Sequence, residues 1–97
     1  MLHTINKAPH VHDCFDACLR VCGTNTAIVL IEDGVYAAIA DSAAAQRLCA
    51  QNKAIFALQP DIDARGLTNR IDPRIQTIDY SGFVQLCCEH ETIQSWY

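Results

Sequence analysis

Ala27-Ile28-Val29-Leu30-Ile31-Glu32-Asp33-Gly34 decides how this chain folds. Five β-prone apolar residues with no polar interruption read as a strand buried on both faces, as in a parallel sheet. The Glu-Asp-Gly that follows reads as the turn that ends it. Three comparable runs lie outward from this one: Met1 to Ile5, Ala54 to Leu58, and Ile75 to Ile78. Thr92 to Tyr97 reads as a fifth strand, more polar and therefore expected at an edge. Helical segments fill the intervals, so the chain alternates β-α-β-α-β-α-β-α-β. That order predicts an α/β fold, a three-layer α/β/α sandwich around a mainly parallel five-stranded sheet.

The helices have legible limits. Val11, Cys14, Phe15, Cys18, Leu19 and Cys22 recur at helical spacing and form one apolar stripe, and Gly23 is placed to end it. Ser42 is the expected cap of a second helix over Ala43 to Gln51. Asp61 to Arg65 reads as a short helical turn after Pro60, closed by Gly66. Ser81 to Glu89 is the last helix, with Phe83, Val84, Leu86 and Cys87 on its expected buried side.

Composition sets the outer limits. At 97 residues the chain is expected to form a single domain over 1–97. A hydrophobic content of 51% against 19% charged residues argues against disorder. No apolar run approaches the roughly 20 residues that cross a bilayer, so no membrane span is expected. No basic start followed by an apolar stretch is present, which makes the cytoplasm the expected location. Seven Lys and Arg against eleven Asp and Glu, with the cations scattered, argue against direct nucleic-acid binding.

Most catalytic patterns are missing. There is no glycine-rich phosphate cradle and no Gly-x-Ser-x-Gly elbow. Glu32-Asp33-Gly34 offers two carboxylates for acid or metal chemistry, but a turn with a helix-capping Asp explains them for backbone reasons alone. His3 lies inside the first strand and reads as a hydrogen-bonded core histidine; His10, His12 and His90 flank helices without ligand spacing.

The six cysteines lack any Cys-x-x-Cys pair, and without an export signal they read as reduced thiols. Cys14, Cys18 and Cys22 share one face of the first helix, the apolar stripe itself. Each is a packing residue or, if accessible and acidic enough, a nucleophile. Of Cys87 and Cys88, adjacent on a helix, one must point away from the core.

Several segments taken together carry a family resemblance. Met1-Leu2-His3-Thr4-Ile5-Asn6-Lys7-Ala8-Pro9 resembles the start of the TusB/DsrH family, and Ile31-Glu32-Asp33-Gly34-Val35-Tyr36-Ala37-Ala38, after the second strand, resembles it as well. Ala57 to Leu67, Ile78 to Val84 and the tail Gln94-Ser95-Trp96 match in order and spacing. The resemblance spans essentially the whole chain.

It implies a subunit of a cytoplasmic sulfur-relay complex of DsrEFH-like fold. Two paralogous partners, DsrE/TusD-like and DsrF/TusC-like, would join it in a dimer of heterotrimers. Persulfide sulfur would pass to a DsrC/TusE-type acceptor, either for 2-thiolation of the tRNA wobble uridine or for sulfur oxidation. The principal cysteine would lie on a partner chain, leaving open whether this subunit catalyses anything itself. Where DsrH-like chains carry a cysteine in the first helix, the matching position is Cys18, the candidate persulfide carrier. No cofactor or metal is expected, because the chemistry needs only an accessible thiol.

Two alternatives stand beside this reading. One is a purely structural subunit of the same complex; the other is a stand-alone α/β module binding a small molecule or zinc. Trp96 and Tyr97 either fold back on the core or meet another subunit, and the enrichment of aromatics at interfaces favours the second.

Overall fold

The computed structural model describes residues 1–10, 14–21, 23, 26–51 and 53–96, with only the backbone of Cys14 and Val21. Strands β1 (Leu2–Ile5), β2 (Ala27–Leu30), β3 (Ala54–Leu58), β4 (Gln76–Ile78) and β5 (Ile93–Trp96) form one sheet in the order β4-β3-β2-β1-β5. Every pairing is parallel, with Leu2 opposite both Ala27 and Ile93. The apolar runs became the central strands: every residue of β1 and β2 is buried, while β4 and β5 lie at the edges and are largely exposed.

Chain order places the helices. Right-handed crossovers from β1 to β2, β3 and β4 all step in one direction, so their helices share one face. These are α1 (Cys14–Val21), a 3₁₀ helix (Glu32–Ala38), α2 (Ala43–Ala50) and α3 (Gln59–Ala64). The last connection returns to the far side of β1 and carries α4 (Tyr80–Glu89) across the opposite face. The core divides accordingly. Phe15, Cys18, Leu19, Val35, Leu48 and Ile62 pack with Ile5, Ile28, Leu30 and Ile55 on one side. Leu86 packs with Leu2, Ala27 and Val29 on the other, with Phe83 and Cys87 against them.

Local signals act as the sequence implies at most helix ends. Ser42 Oγ accepts the amide of Ala45 at 3.1 Å and starts α2. Asp79 does the same for α4 through the amide of Gly82, at 2.8 Å. Pro60 sits in the first turn of α3, and Gly66 takes the left-handed conformation just past its end, φ 68°. Of the stripe expected on α1, Phe15, Cys18 and Leu19 are buried, whereas Val11 and Cys22 lie outside the described residues.

Two expectations are corrected. Val84 is 59% exposed rather than buried, because Phe83, Leu86 and Cys87 already occupy the sheet side of α4 and leave Val84 on the outer one. Trp96 does not wait for a partner subunit but folds back and packs against the larger core cluster. Tyr97 lies outside the described residues.

Candidate functional site

The carboxyl ends of the strands, where ligands gather in open parallel sheets, are occupied by internal ties. Glu32 takes a positive φ of 49°, and its amide donates to Asp61 Oδ2 at 2.7 Å, joining the end of β2 to α3. Asp33 does not cap the 3₁₀ helix, whose N-cap position is Ile31, without a side-chain cap. It pairs instead with Arg65 at 2.9 Å, and Arg65 also donates to the carbonyl of Asp61. Gly34 is required by contact: a Cβ there would stand 2.0 Å from the carbonyl oxygen of Ile5. The Glu-Asp-Gly motif is therefore a structural clasp between β1, β2 and α3. Among the described residues, no three His, Cys, Asp or Glu side chains converge as metal ligands.

A cleft of about 410 Å³ opens between α1, the 3₁₀ helix and the start of α2. Pro9, Phe15, Tyr36 and Ile39 give it an apolar lining, and His10 and Ser42 stand among them. Arg47 closes one side, paired with Asp16 and lying 5.3 Å from the centre of the Phe15 ring. Sequence reading did not find this cleft, because its walls come from three elements whose approach only the fold defines.

The cysteines separate by exposure. Cys18 is 0% exposed within the larger core cluster, so its thiol has no path to a sulfur donor unless α1 moves. Cys49 and Cys87 are half-buried thiols, and Cys88 is exposed on the outer side of α4. The adjacency rule applied to Cys87 and Cys88 thus holds. Of the other two first-helix cysteines, Cys22 lies outside the described residues and Cys14 is described in backbone alone.

His3 is the buried histidine that its strand position implies, 3% exposed, and its Nδ1 accepts the indole N–H of Trp96 at 3.0 Å. Burial, reinforced by the N-terminal ammonium and by Lys53, holds its pKa below the ordinary histidine value. His10 is exposed at the cleft, His90 is half-buried at the end of α4, and His12 lies outside the described residues. No helix among the described residues is long and apolar enough to cross a membrane.

The parallel five-stranded sheet with helices on both faces defines an α/β protein of known architecture. The crystal structure of the ychN protein from E. coli superposes with a TM-score of 0.73 over 98% of this chain and 97% of that one. At 13% identity this likeness concerns the fold alone. Sequence then narrows the class. The family described as DsrH like protein matches residues 7–93. Protein TusB of Pectobacterium parmentieri is 41% identical over 96 residues, covering 99% of this chain and 100% of that one. Protein TusB of Enterobacter sp. strain 638 is 38% identical over the same shares. The chain belongs to the DsrH/TusB family.

Proposed function

We propose that this chain is a subunit of a cytoplasmic sulfur-relay complex, acting as one DsrH/TusB-like domain over residues 1–97. Its partners are two paralogues, DsrE/TusD-like and DsrF/TusC-like, in a dimer of heterotrimers. The complex passes persulfide sulfur to a DsrC/TusE-type acceptor for 2-thiolation of the tRNA wobble uridine. The observation that carries this reading is end-to-end similarity to proteins named TusB, which also favours tRNA thiolation over sulfur oxidation as the destination. A second feature supports assembly: Tyr80 and Val84, one helical turn apart on α4, are each 59% exposed. Scattered cations in a chain of net charge −4 suit a relay that does not grip tRNA itself.

Cys18 is the proposed carrier on this chain. Its thiolate would attack the terminal sulfur of a donor persulfide, forming a new S–S bond as the donor's S–S bond breaks and releases the donor thiolate. The step balances without an external oxidant or a metal. A second reading has its own observation, the complete burial of Cys18. On that reading the chain is structural, and the sulfur passes only through cysteines of its partners.

The test is reconstitution with both paralogues and exposure of the reduced complex to a persulfide-loaded sulfurtransferase, followed by peptide mass spectrometry. Sulfur added at Cys18, and absent from Cys18→Ser, would establish the carrier role. An intact complex with no added sulfur on any of the six cysteines would make the chain a scaffold. Failure to assemble would defeat both readings, and stoichiometric zinc in the purified chain would favour a stand-alone module.

A further inference from the structure

We propose that His3 and Trp96 form a proton-sensitive latch that holds the C-terminal edge strand against the sheet, closed by a neutral imidazole and released when His3 takes up a proton. β5 has a strand neighbour on one side only, and Ile93, Gln94 and Ser95 are exposed along it. Two side-chain hydrogen bonds tie it to β1. Thr4 and Ser95 share a hydroxyl contact at 3.1 Å, and Trp96 Nε1 donates to His3 Nδ1 at 3.0 Å.

The second tie fixes a protonation state. An indole N–H can only donate, so His3 Nδ1 must present its lone pair and the neutral ring must carry its proton on Nε2. Protonation would set two N–H donors against each other. A compensating cation–π contact is not available, because the imidazole meets the indole at its N–H edge, where the quadrupole is positive.

Among the described residues, the surroundings offer an imidazolium little relief. The N-terminal ammonium and Lys53 both disfavour it. On α1, which packs on β1 and β5, the charged side chains are Asp16, already paired with Arg47, and the exposed Arg20. β2 and β5 carry no charged side chain, and Glu91 in the turn before β5 is exposed. With the folded-state pKa below the unfolded value of about 6.5, the latch contributes fully above that pH. Its contribution falls away as pH drops from there through the folded value.

The chain has a single tryptophan, so Trp96 fluorescence reports on the latch directly. The decisive experiment follows full-length protein from pH 8 to pH 5 by fluorescence and by hydrogen exchange, corrected for intrinsic rates. Nitrogen shifts of His3 are recorded in parallel. Nδ1 should be unprotonated at neutral pH, and His3 should titrate below the ordinary value. With that midpoint, exchange at 93–96 should rise about tenfold for each pK unit by which folding lowers His3, while 76–78 on the opposite edge stays constant. In His3→Leu the fluorescence step should vanish. Because the nitrogen shifts are read on the parent chain, the idea stands or falls even if that variant does not fold. An Nδ1-protonated tautomer, a titration at or above the ordinary value, or equal loosening of both edges would overturn it.

Discussion

On one face of the sheet, Ile28, Leu30, Ile55 and Ala57 lie beneath α1, the 3₁₀ helix, α2 and α3; on the other, Leu2, Ala27 and Val29 lie beneath α4 alone. The helices differ on their outer sides as well. α1 and α2 present Asp16, Arg20, Gln46 and Arg47, a polar finish suited to water. α4 carries one charged residue, Glu89 at its end, and turns Tyr80, Val84 and Cys88 outward beside the exposed Ser81, Gln85 and Glu89. Large apolar side chains grouped on the outer side of a surface helix mark an interaction surface more often than singly scattered ones do. The outside of the first face is thus finished in polar and charged side chains, and the outside of the second carries an exposed apolar strip, Tyr80, Val84 and Cys88.

Removing a side chain from the first face should have the largest effect. Leu48 on α2 is fully buried, so Leu48→Ala should cost about 2–5 kcal/mol through lost burial and the cavity left behind. Denaturant unfolding of the two proteins measures it. A cost near zero would mean that this face is loosely packed, and the contrast between the faces would fail.

The thiols sharpen the same contrast. Replacing the fully buried Cys18 by Ser exchanges a thiol for a smaller, more strongly hydrated hydroxyl inside the larger core cluster and should cost roughly 1–3 kcal/mol, whereas Cys88→Ser on the outer side of α4 should be nearly neutral. Alkylation of the native chain, read by peptide mass, should label Cys88 well before Cys18. Rapid labelling of Cys18 would instead show that α1 opens readily, which a carrier role requires.

Much of this was legible in the sequence because the strands are short apolar runs bounded by turn residues, and because Ser42 caps by a local rule. β5 could be placed at an edge from its polarity. The failures share a cause, in that each depends on a neighbour remote in sequence. Apolar residues occupy more than one side of α4, with Val84 adjacent to Phe83, so periodicity does not choose between them, and Val84 falls outward only once the sheet is in place. Trp96 folds back because its indole meets His3, 93 positions earlier. Asp33 looked like a cap because nothing nearby reveals that Arg65 arrives from the end of α3. The family segments pointed to Cys18, but its burial comes from packing by Leu19, Ile28 and the rest of that cluster.

A pH-dependent effect on the first face comes from Asp72, 4% exposed, which accepts from the backbone amide of Arg74 and from its guanidinium at 2.8 and 3.1 Å. These bonds hold its pKa below the usual carboxylate range. A depressed carboxylate pKa contributes stability above the unfolded value of about 3.9 and loses it as pH falls through the folded one. Asp72→Asn should therefore be less stable than the parent at pH 7, with the gap closing as both are acidified toward pH 2. A gap constant with pH would assign the loss to packing rather than charge.

The smallest expected effect on folding is the most informative about α4. Val84→Lys places a charge on the outer side of the helix, where the side chain is already in water, so stability should stay within about 0.5 kcal/mol of the parent. In a complex covering α4 the same ammonium would have to lose its hydration against an apolar partner surface, and association with the two paralogues should weaken sharply. Gln46→Lys, at an exposed position on α2 over the other face, is the control and should change neither quantity. Co-purification and denaturant unfolding of both variants separate the outcomes. If Val84→Lys assembles like the parent, the apolar outside of α4 is not the interface, and the two faces differ only in how much core they cover. If it unfolds instead, Val84 supports the chain itself, and α4 is finished without a partner after all.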